Sequence, residues 1–140
     1  MSKKLISIVV PNYNEAATLD ELYERTTKVM QSLDKYDYEI VFFDDGSTDG
    51  SKQKIEELCN KDEHIKAVFY SKNFGYAKGT FYCFQQAKGD CAVILHADLQ
   101  NPPEEIPRLV EKWETGAQIV FGVKNQSREN KFVYFIRNFF

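Results

Sequence analysis

The sequence predicts an α/β fold, a doubly wound and mainly parallel β-sheet with helices on both faces. Short apolar runs rich in β-branched and aromatic residues alternate with stretches whose apolar residues recur at helical spacing. Several of the runs are apolar at consecutive positions, as is typical of strands that are buried on both faces. Such an alternation indicates parallel strands joined by right-handed crossover helices.

Five runs are predicted to be strands. They are LISIVV (5–10), YEIVFF (38–43), IKAVFY (65–70), CAVILHA (91–97) and QIVFGV (118–123). The first run follows two lysines, as the apolar part of a signal peptide would. The charged segment PNYNEAA comes directly after it without a small-residue cleavage site, so a strand fits better.

Four helices are predicted between these strands. The first begins after Thr18, where Glu21 three residues later completes a capping-box pattern, and its apolar residues continue at helical spacing to Leu33. The other three are expected at about 49–60, 76–87 and 103–115. In the last of them, Pro103 suits a first-turn position and Gly116 suits the end of the helix.

Length and composition indicate one ordinary domain. The 140 residues can bury a core, and 43% of them are hydrophobic and 28% charged. The net charge of −3 and the pI of about 5.4 argue against a nucleic-acid binder with a basic face. Three scattered cysteines favour a reducing compartment over a disulfide framework or a zinc site. No apolar run approaches the ~18 residues of a membrane span, so we expect a cytoplasmic location or a peripheral one at the inner face of a membrane.

Residues 1–124 are expected to form the core domain, and the tail, 125–140, has a different composition. The tail starts as a polar loop (NQSREN) and continues as KFVYFIRNFF, which is apolar at seven of its ten positions. We interpret it as the first turns of an aromatic, interfacial helix in a fragment or truncated product. Its aromatic side chains could instead cap this domain, or contact a membrane surface or a second copy of the chain.

Polar side chains concentrate directly after the predicted strands, where an open parallel sheet binds its ligands. These loops are PNYNE (11–15), DDGSTDGS (44–51), SKNFG (71–75), HADLQNPP (96–103) and VKNQ (123–126). None of them has the GxxxxGK[ST] spacing of a P-loop, and no GxGxxG follows the first strand. A P-loop ATPase and a dinucleotide-dependent dehydrogenase are therefore poor fits.

Asp44 and Asp45 are adjacent carboxylates at the end of the second strand. In one interpretation they only terminate the strand and help to cap the next helix. In the other, one of them accepts the imide N–H of a uracil, or the N1–H and the amine of a guanine. A carboxylate suits that edge of a base because it is solely an acceptor when ionised.

His96 and Asp98 lie two residues apart at a strand end, so both can project to the same side, and Gln100 follows as the chain turns. A hard cation such as Mg²⁺ or Mn²⁺ needs few protein ligands when a diphosphate completes its shell. Alternatively, Asp98 caps the loop and His96 is a satisfied strand-end residue. Lys124, directly after the last predicted strand, could neutralise a diphosphate.

In their order and combination, these loops resemble those of family 2 glycosyltransferases with the Rossmann-like GT-A fold. The resemblance is strongest to the polyprenyl-phosphate type, which includes dolichyl-phosphate mannose synthase and bacterial undecaprenyl-phosphate glucosyltransferases. The motifs are VVPNYNE (9–15), YEIVFFDDGSTDGS (38–51), SKNFG (71–75), GDCAVILHADLQNPPEEIP (89–107) and GV before Lys124. They extend over nearly the whole chain and correspond to the N-terminal, donor-binding part of such enzymes.

The resemblance implies transfer of a hexose from a UDP- or GDP-linked sugar to a polyprenyl phosphate or a glycan, with inversion, in the synthesis of cell-envelope polysaccharides or glycolipids. It implies a nucleotide-sugar site formed by Pro11, Tyr13, Glu15, Phe43, Asp45, Ala97, Asp98 and Lys124. It also implies a Mn²⁺ or Mg²⁺ ion held by Asp98 and Gln100, with His96 as a third candidate ligand. No catalytic base is assigned, and we expect it outside this chain.

The sequence departs from the family pattern at three positions. His96 replaces the first aspartate of the Asp-X-Asp motif, and imidazole suits Mn²⁺ better than Mg²⁺. Lys124 stands in place of an arginine, which keeps the charge but not the bidentate fork, and Asn101 stands where aspartate is common.

Two alternatives to an active glycosyltransferase remain. One is a catalytically impaired or non-catalytic nucleotide-binding or assembly module of the same fold. The other is a phospho-acceptor receiver domain, but that class carries an acidic pair after the first strand, where PNYNE stands.

Overall fold

A computed structural model describes residues 3–123, apart from the side chains of residues 76–78. Within this range the elements are β1 (Lys4–Asn12), α1 (Leu19–Ser32), β2 (Tyr36–Asp44), α2 (Ser51–Lys61), β3 (Ile65–Phe69), α3 (Tyr76–Gln86), β4 (Cys91–Ile94), a short 3₁₀ helix (Pro103–Glu105) and α4 (Ile106–Glu114). The strands lie in the order β3–β2–β1–β4, and each neighbouring pair is parallel. The predicted α/β fold with a parallel sheet is confirmed.

The chain divides into two compact units, Met1–Arg108, which holds the whole sheet, and Leu109–Phe140. The fifth predicted strand, 118–123, falls in the second unit, and that prediction is wrong because residues 117–123 belong to no strand. Ile119, Phe121 and Val123 are 75%, 83% and 81% exposed. An apolar run becomes a strand only where it gains a pairing partner. The composition of this segment alone therefore predicted a strand that does not form. The predicted segment 125–140 lies outside the described residues.

The two central strands, β1 and β2, explain why the sheet forms where it does. Ile8, Val9, Phe42 and Phe43 are at most 1% exposed, so both faces of both strands are covered. Side chains alternate between the faces of a strand, and Val9 and Phe43 pack against Cys83 of α3. Neighbours such as Ile8 and Phe42 therefore face the other side of the sheet.

Thr18 precedes α1, as predicted, but the predicted capping box does not form. The helix has no side-chain cap, because the Thr18 hydroxyl is directed to carbonyl groups. Its Oγ1 lies 2.6 Å from the carbonyl oxygen of Ala97 and 3.0 Å from that of Glu15. Thr18 therefore links the start of α1 to the loop after β4, a long-range contact that no local pattern indicates.

A buried polar network fixes the turn that leads from α3 into β4. The carboxylate of Glu39 accepts hydrogen bonds from the Ser7 hydroxyl at 2.6 Å, from the Lys88 N–H at 3.0 Å and from the Lys66 ammonium. Burial alone would raise the pKa of Glu39, but these three donors together hold that pKa below its ordinary value. A Cβ on the adjacent Gly89 would lie 2.7 Å from a backbone carbonyl oxygen, so only glycine fits there.

The strand order places the ligand-binding edge. From β1 the chain proceeds through β2 to β3 on one side and then returns to place β4 on the other side. The order therefore reverses between β1 and β4, and open α/β sheets bind ligands at the carboxyl ends of the strands beside such a switch point. In the part of the chain that the structure describes, no helix has the length and apolar character that a membrane crossing requires.

Candidate active site

A cleft of about 240 Å³ opens at the carboxyl ends of the strands. The sequence predicted eight of the residues that line it, namely Pro11, Tyr13, Glu15, Phe43, Asp45, His96, Ala97 and Asp98. Six more were missed, namely Asn12, Tyr70, Asn73, Gly79, Thr80 and Cys83. Of the remaining predicted residues, Gln100 does not line the cleft and Lys124 lies outside the described residues.

The loop after β1 is held against the loop after β2 by side chain to backbone hydrogen bonds. Asn14, at a φ of 55°, donates its N–H to the Ser47 hydroxyl at 2.9 Å, and Ala16 donates its N–H to Asp49 at 2.9 Å. The hydroxyl of Ser51 also donates to Asp49, and this bond is the main cause of the lowered pKa of that carboxyl. The positions of Tyr13 and Glu15 are therefore set by the next loop along the chain.

Of the two adjacent aspartates, Asp44 has a structural role. It is 2% exposed, and its carboxylate accepts the Asn12 side-chain amide at 2.7 Å, the Ser47 N–H at 3.0 Å and the Ser47 hydroxyl. These bonds join the end of β2 to the turn that follows it and fix the side-chain amide of Asn12. The interpretation of a strand-terminating carboxylate therefore fits Asp44.

Asp45 lines the cleft and also holds the loop before α3. One of its oxygens accepts the Phe74 N–H at 2.8 Å and the other accepts the Gly75 N–H at 2.9 Å. The same loop passes so close to Gly46, whose φ is +76°, that an added Cβ would lie 2.9 Å from the carbonyl carbon of Lys72. Asp45 thus holds the loop that precedes α3, and neither α2 nor α3 has a side-chain cap.

The loop after β4 supplies the other end of the cleft. His96, Ala97 and Asp98 all line it, as the alternate spacing of His96 and Asp98 predicted. Asp98 is exposed, and one of its oxygens accepts the Gln100 N–H at 3.0 Å, in a turn where Leu99 has a φ of 59°. This turn carries the Gln100 side chain to an exposed position outside the cleft wall.

The candidate metal-binding side chains at this end of the cleft suit a cation that is bound together with a phosphate group. Among the described residues, no three His, Cys, Asp or Glu side chains are grouped to hold a metal ion. His96 and Asp98 nevertheless line one cleft and could supply two ligands. Two protein ligands are enough for Mn²⁺ or Mg²⁺ when diphosphate oxygens and water complete the shell.

The part of the cleft wall that was not predicted from the sequence is formed by the end of β3 and by α3. Tyr70 is the first residue after β3, while Gly79 and Thr80 lie on one turn of α3 and Cys83 on the next. The four-residue spacing of Gly79 and Cys83 could have indicated this wall, since residues four apart share one helix face. Burial raises the pKa of both Tyr70 and Cys83 to about 12, so the hydroxyl and the thiol stay protonated.

The fold is that of GT-A glycosyltransferases. The mannosyltransferase PcManGT from Pyrobaculum calidifontis, solved with GDP-Man and Mn²⁺, superposes with a TM-score of 0.66 at 24% identity, over 81% of this chain and 33% of that one. S. aureus TarS 1–349, solved with UDP, gives 0.64 at 22% identity, over 92% of this chain and 38% of that one.

The chain belongs to glycosyl transferase family 2, whose sequence profile matches residues 7–139. It is 44% identical over 128 residues to the undecaprenyl-phosphate 4-deoxy-4-formamido-L-arabinose transferase of Pseudomonas fluorescens SBW25, covering 91% of this chain and 37% of the relative. The enzyme of the same name from Proteus mirabilis HI4320 is 43% identical over 126 residues, 89% of this chain and 38% of the relative. The resemblance seen in the loops is confirmed, and the chain spans little more than a third of these relatives.

Proposed function

We propose that this chain is the donor-binding part of a glycosyltransferase that moves a glycosyl group from a nucleotide sugar to a polyprenyl phosphate. The observation that most supports this is that Tyr13, Asp45 and Asp98, from three separate loops, line one cleft. The named relatives are transferases for undecaprenyl phosphate. Because their names specify a formamido-pentose, we do not restrict the glycosyl group to a hexose.

The nucleoside would occupy the end of the cleft near β1 and β2. The ring of Tyr13 is 48% exposed at the rim, while Phe43 is 1% exposed at the base of the cleft. Aromatic and apolar side chains of this kind bury the faces of a planar ring. Asp45, beside Phe43, would accept an N–H of the base.

The hydrogen bonds of Asp45 favour uracil over guanine. The N–H groups of Phe74 and Gly75 come from consecutive residues and reach different oxygens, so each oxygen already accepts one hydrogen bond. About one acceptor site on each oxygen remains for a ligand. Uracil presents a single imide N–H, whereas a bidentate contact to guanine needs both oxygens at once. We therefore propose a UDP-linked sugar as the donor.

The diphosphate would occupy the end near β4. Asp98 and His96 would hold Mn²⁺ or Mg²⁺, which when bound neutralises charge on the diphosphate leaving group. The replacement of an aspartate by His96 favours Mn²⁺. Gln100 stays a predicted third ligand, and Lys124 stays a predicted partner of the diphosphate.

The proposed reaction is a single displacement with inversion. A phosphate oxygen of the acceptor forms a bond to the anomeric carbon as the bond from that carbon to the nucleoside diphosphate breaks, and the bonding electrons leave with UDP. A phosphate acceptor is already anionic, so it needs little help from a general base. The catalytic base stays unassigned.

Calorimetric titration of the chain with UDP and with GDP, each with and without Mn²⁺, tests the proposal. We expect UDP to bind, Mn²⁺ to tighten its binding, and GDP to bind about tenfold more weakly because one of its base N–H groups stays unpaired. Mn²⁺ titrated alone is the control. If a chain shown by circular dichroism to be folded binds neither nucleotide, the proposed function is wrong, and equal affinities would contradict the choice of uracil.

A further inference from the structure

Three polar atoms in the cleft wall have no hydrogen-bond partner among the described residues. They are the side-chain carbonyl oxygen of Asn12 and the hydroxyl oxygens of Tyr70 and Thr80, and all three are buried. Native proteins pair nearly all of their buried polar atoms, because an unpaired one is costly. Three such atoms around one cleft indicate partners that arrive with a ligand.

The ring of Tyr70 is held firmly in place. It packs against the core cluster of Val9, Val41, Phe43 and Cys83. Phe74 meets it edge-on at a centroid distance of 5.7 Å, and Tyr82 contacts it at 5.9 Å with a tilt of 56°. A ring fixed on this many sides holds its hydroxyl group in one place.

Tyr70 and Thr80 line the same cleft as Asp45, and the Tyr70 ring lies beside helix α3. A Cβ added at Gly79 would meet the Tyr70 ring at 3.7 Å, which places the ring on the helical turn that also carries Thr80. The Tyr70 N–H donates to the Asp44 carbonyl oxygen at 2.9 Å, so Tyr70 lies beside the end of β2 that leads into Asp45. Both residues therefore line the cleft in which Asp45 is proposed to accept an N–H of the base.

We propose that the Tyr70 and Thr80 hydroxyls select the nucleobase, by donating hydrogen bonds to a ring carbonyl beside the N–H that Asp45 accepts. This rests on the proposed function. The imide N–H of uracil lies between two carbonyl groups, so an acceptor flanked by donors complements that edge. Asn12 has its amide N–H groups directed to Asp44 and Ser47, and its remaining oxygen can only accept, so it does not serve this carbonyl.

Variants that lose only a hydroxyl test the proposal. Tyr70→Phe and Thr80→Val keep the size of each side chain, and we expect each to lower the affinity for UDP by about threefold to tenfold. The melting temperature of the free chain should stay the same or rise, because an unpaired buried hydroxyl is removed. A purely structural hydroxyl would give a lower melting temperature. Tyr82→Phe is the control, since Tyr82 contacts the same ring but is 42% exposed and outside the cleft wall.

Titrations with 2-thio-UDP and 4-thio-UDP identify the carbonyl, because sulfur is a weak acceptor. We expect the unaltered chain to bind one analogue more weakly than UDP, and the Tyr70→Phe/Thr80→Val double variant to bind that analogue and UDP equally. If the unaltered chain binds UDP and the double variant binds it within twofold, the inference is wrong while the proposed function stands. If the unaltered chain does not bind UDP, both are wrong.

Discussion

Replacing Asp98 with alanine will remove the metal-dependent part of nucleotide binding. In the presence of Mn²⁺, we expect the affinity of Asp98→Ala for UDP to fall about 100-fold or more, since even outer-shell residues of metal sites contribute 10- to 100-fold. Asp98 is the one carboxylate that the loop after β4 contributes to the cleft, and it is exposed, so it is accessible to a bound cation. Calorimetric titration with and without Mn²⁺ measures the effect.

Asp37→Ala is the matched control for the loss of one negative charge. Asp37 is exposed and lies near the start of β2, at the opposite edge of the sheet from the cleft. We expect this variant to bind UDP as the unaltered chain does, with the same enhancement by Mn²⁺. If Asp98→Ala retains that enhancement, the metal site lies elsewhere.

Replacing Gly46 with alanine will destabilise the fold and weaken nucleotide binding together. The φ of +76° costs a residue with a Cβ about 1–2 kcal/mol. The new Cβ would also lie 2.9 Å from the Lys72 carbonyl carbon and 3.0 Å from the Asn73 nitrogen, and such overpacking costs about 1–3 kcal/mol. We expect urea denaturation to show a loss of about 2–5 kcal/mol in the free energy of unfolding, the sum of these ranges.

Gly50→Ala separates the cost of the positive φ from the cost of the close contacts. Gly50 has a φ of +96°, but the nearest atom to an added Cβ is the flexible Gln53 side-chain oxygen at 3.9 Å. We therefore expect only the backbone cost of about 1–2 kcal/mol and nearly unchanged binding of UDP. Equal losses of stability in the two variants would mean that the close approach of the loop before α3 has no energetic effect.

Much of the fold could be predicted from the sequence because the information is local. The consecutive apolar residues of β1 and β2 indicate strands covered on both faces, and the polar loops after them follow from the topology of a parallel sheet. The segment 118–123 has the same composition, yet it forms no strand. Pairing of a strand is a tertiary property, which composition does not contain.

The residues of the site also divide into those that a local sequence pattern predicts and those that depend on tertiary contacts. Asp45 and Asp98 could be found because they directly follow apolar runs. The bond between Thr18 and the Ala97 carbonyl joins residues 79 positions apart, so a local capping rule gave the wrong partner. Tyr70 and Thr80 carry no motif, and their unpaired hydroxyl groups become evident only when the surrounding side chains are in place.

The most direct test of the account is an amide NMR titration of the isotope-labelled chain with UDP. Nucleotide binding at the strand ends predicts chemical-shift changes centred on Tyr13, Phe74, Gly75 and Asp98, and a trace of Mn²⁺ should then broaden the signals around Asp98 first. No changes, or changes centred on His64 and Gly89 at the opposite edge of the sheet, would contradict the assignment of the cleft as a nucleotide-sugar site.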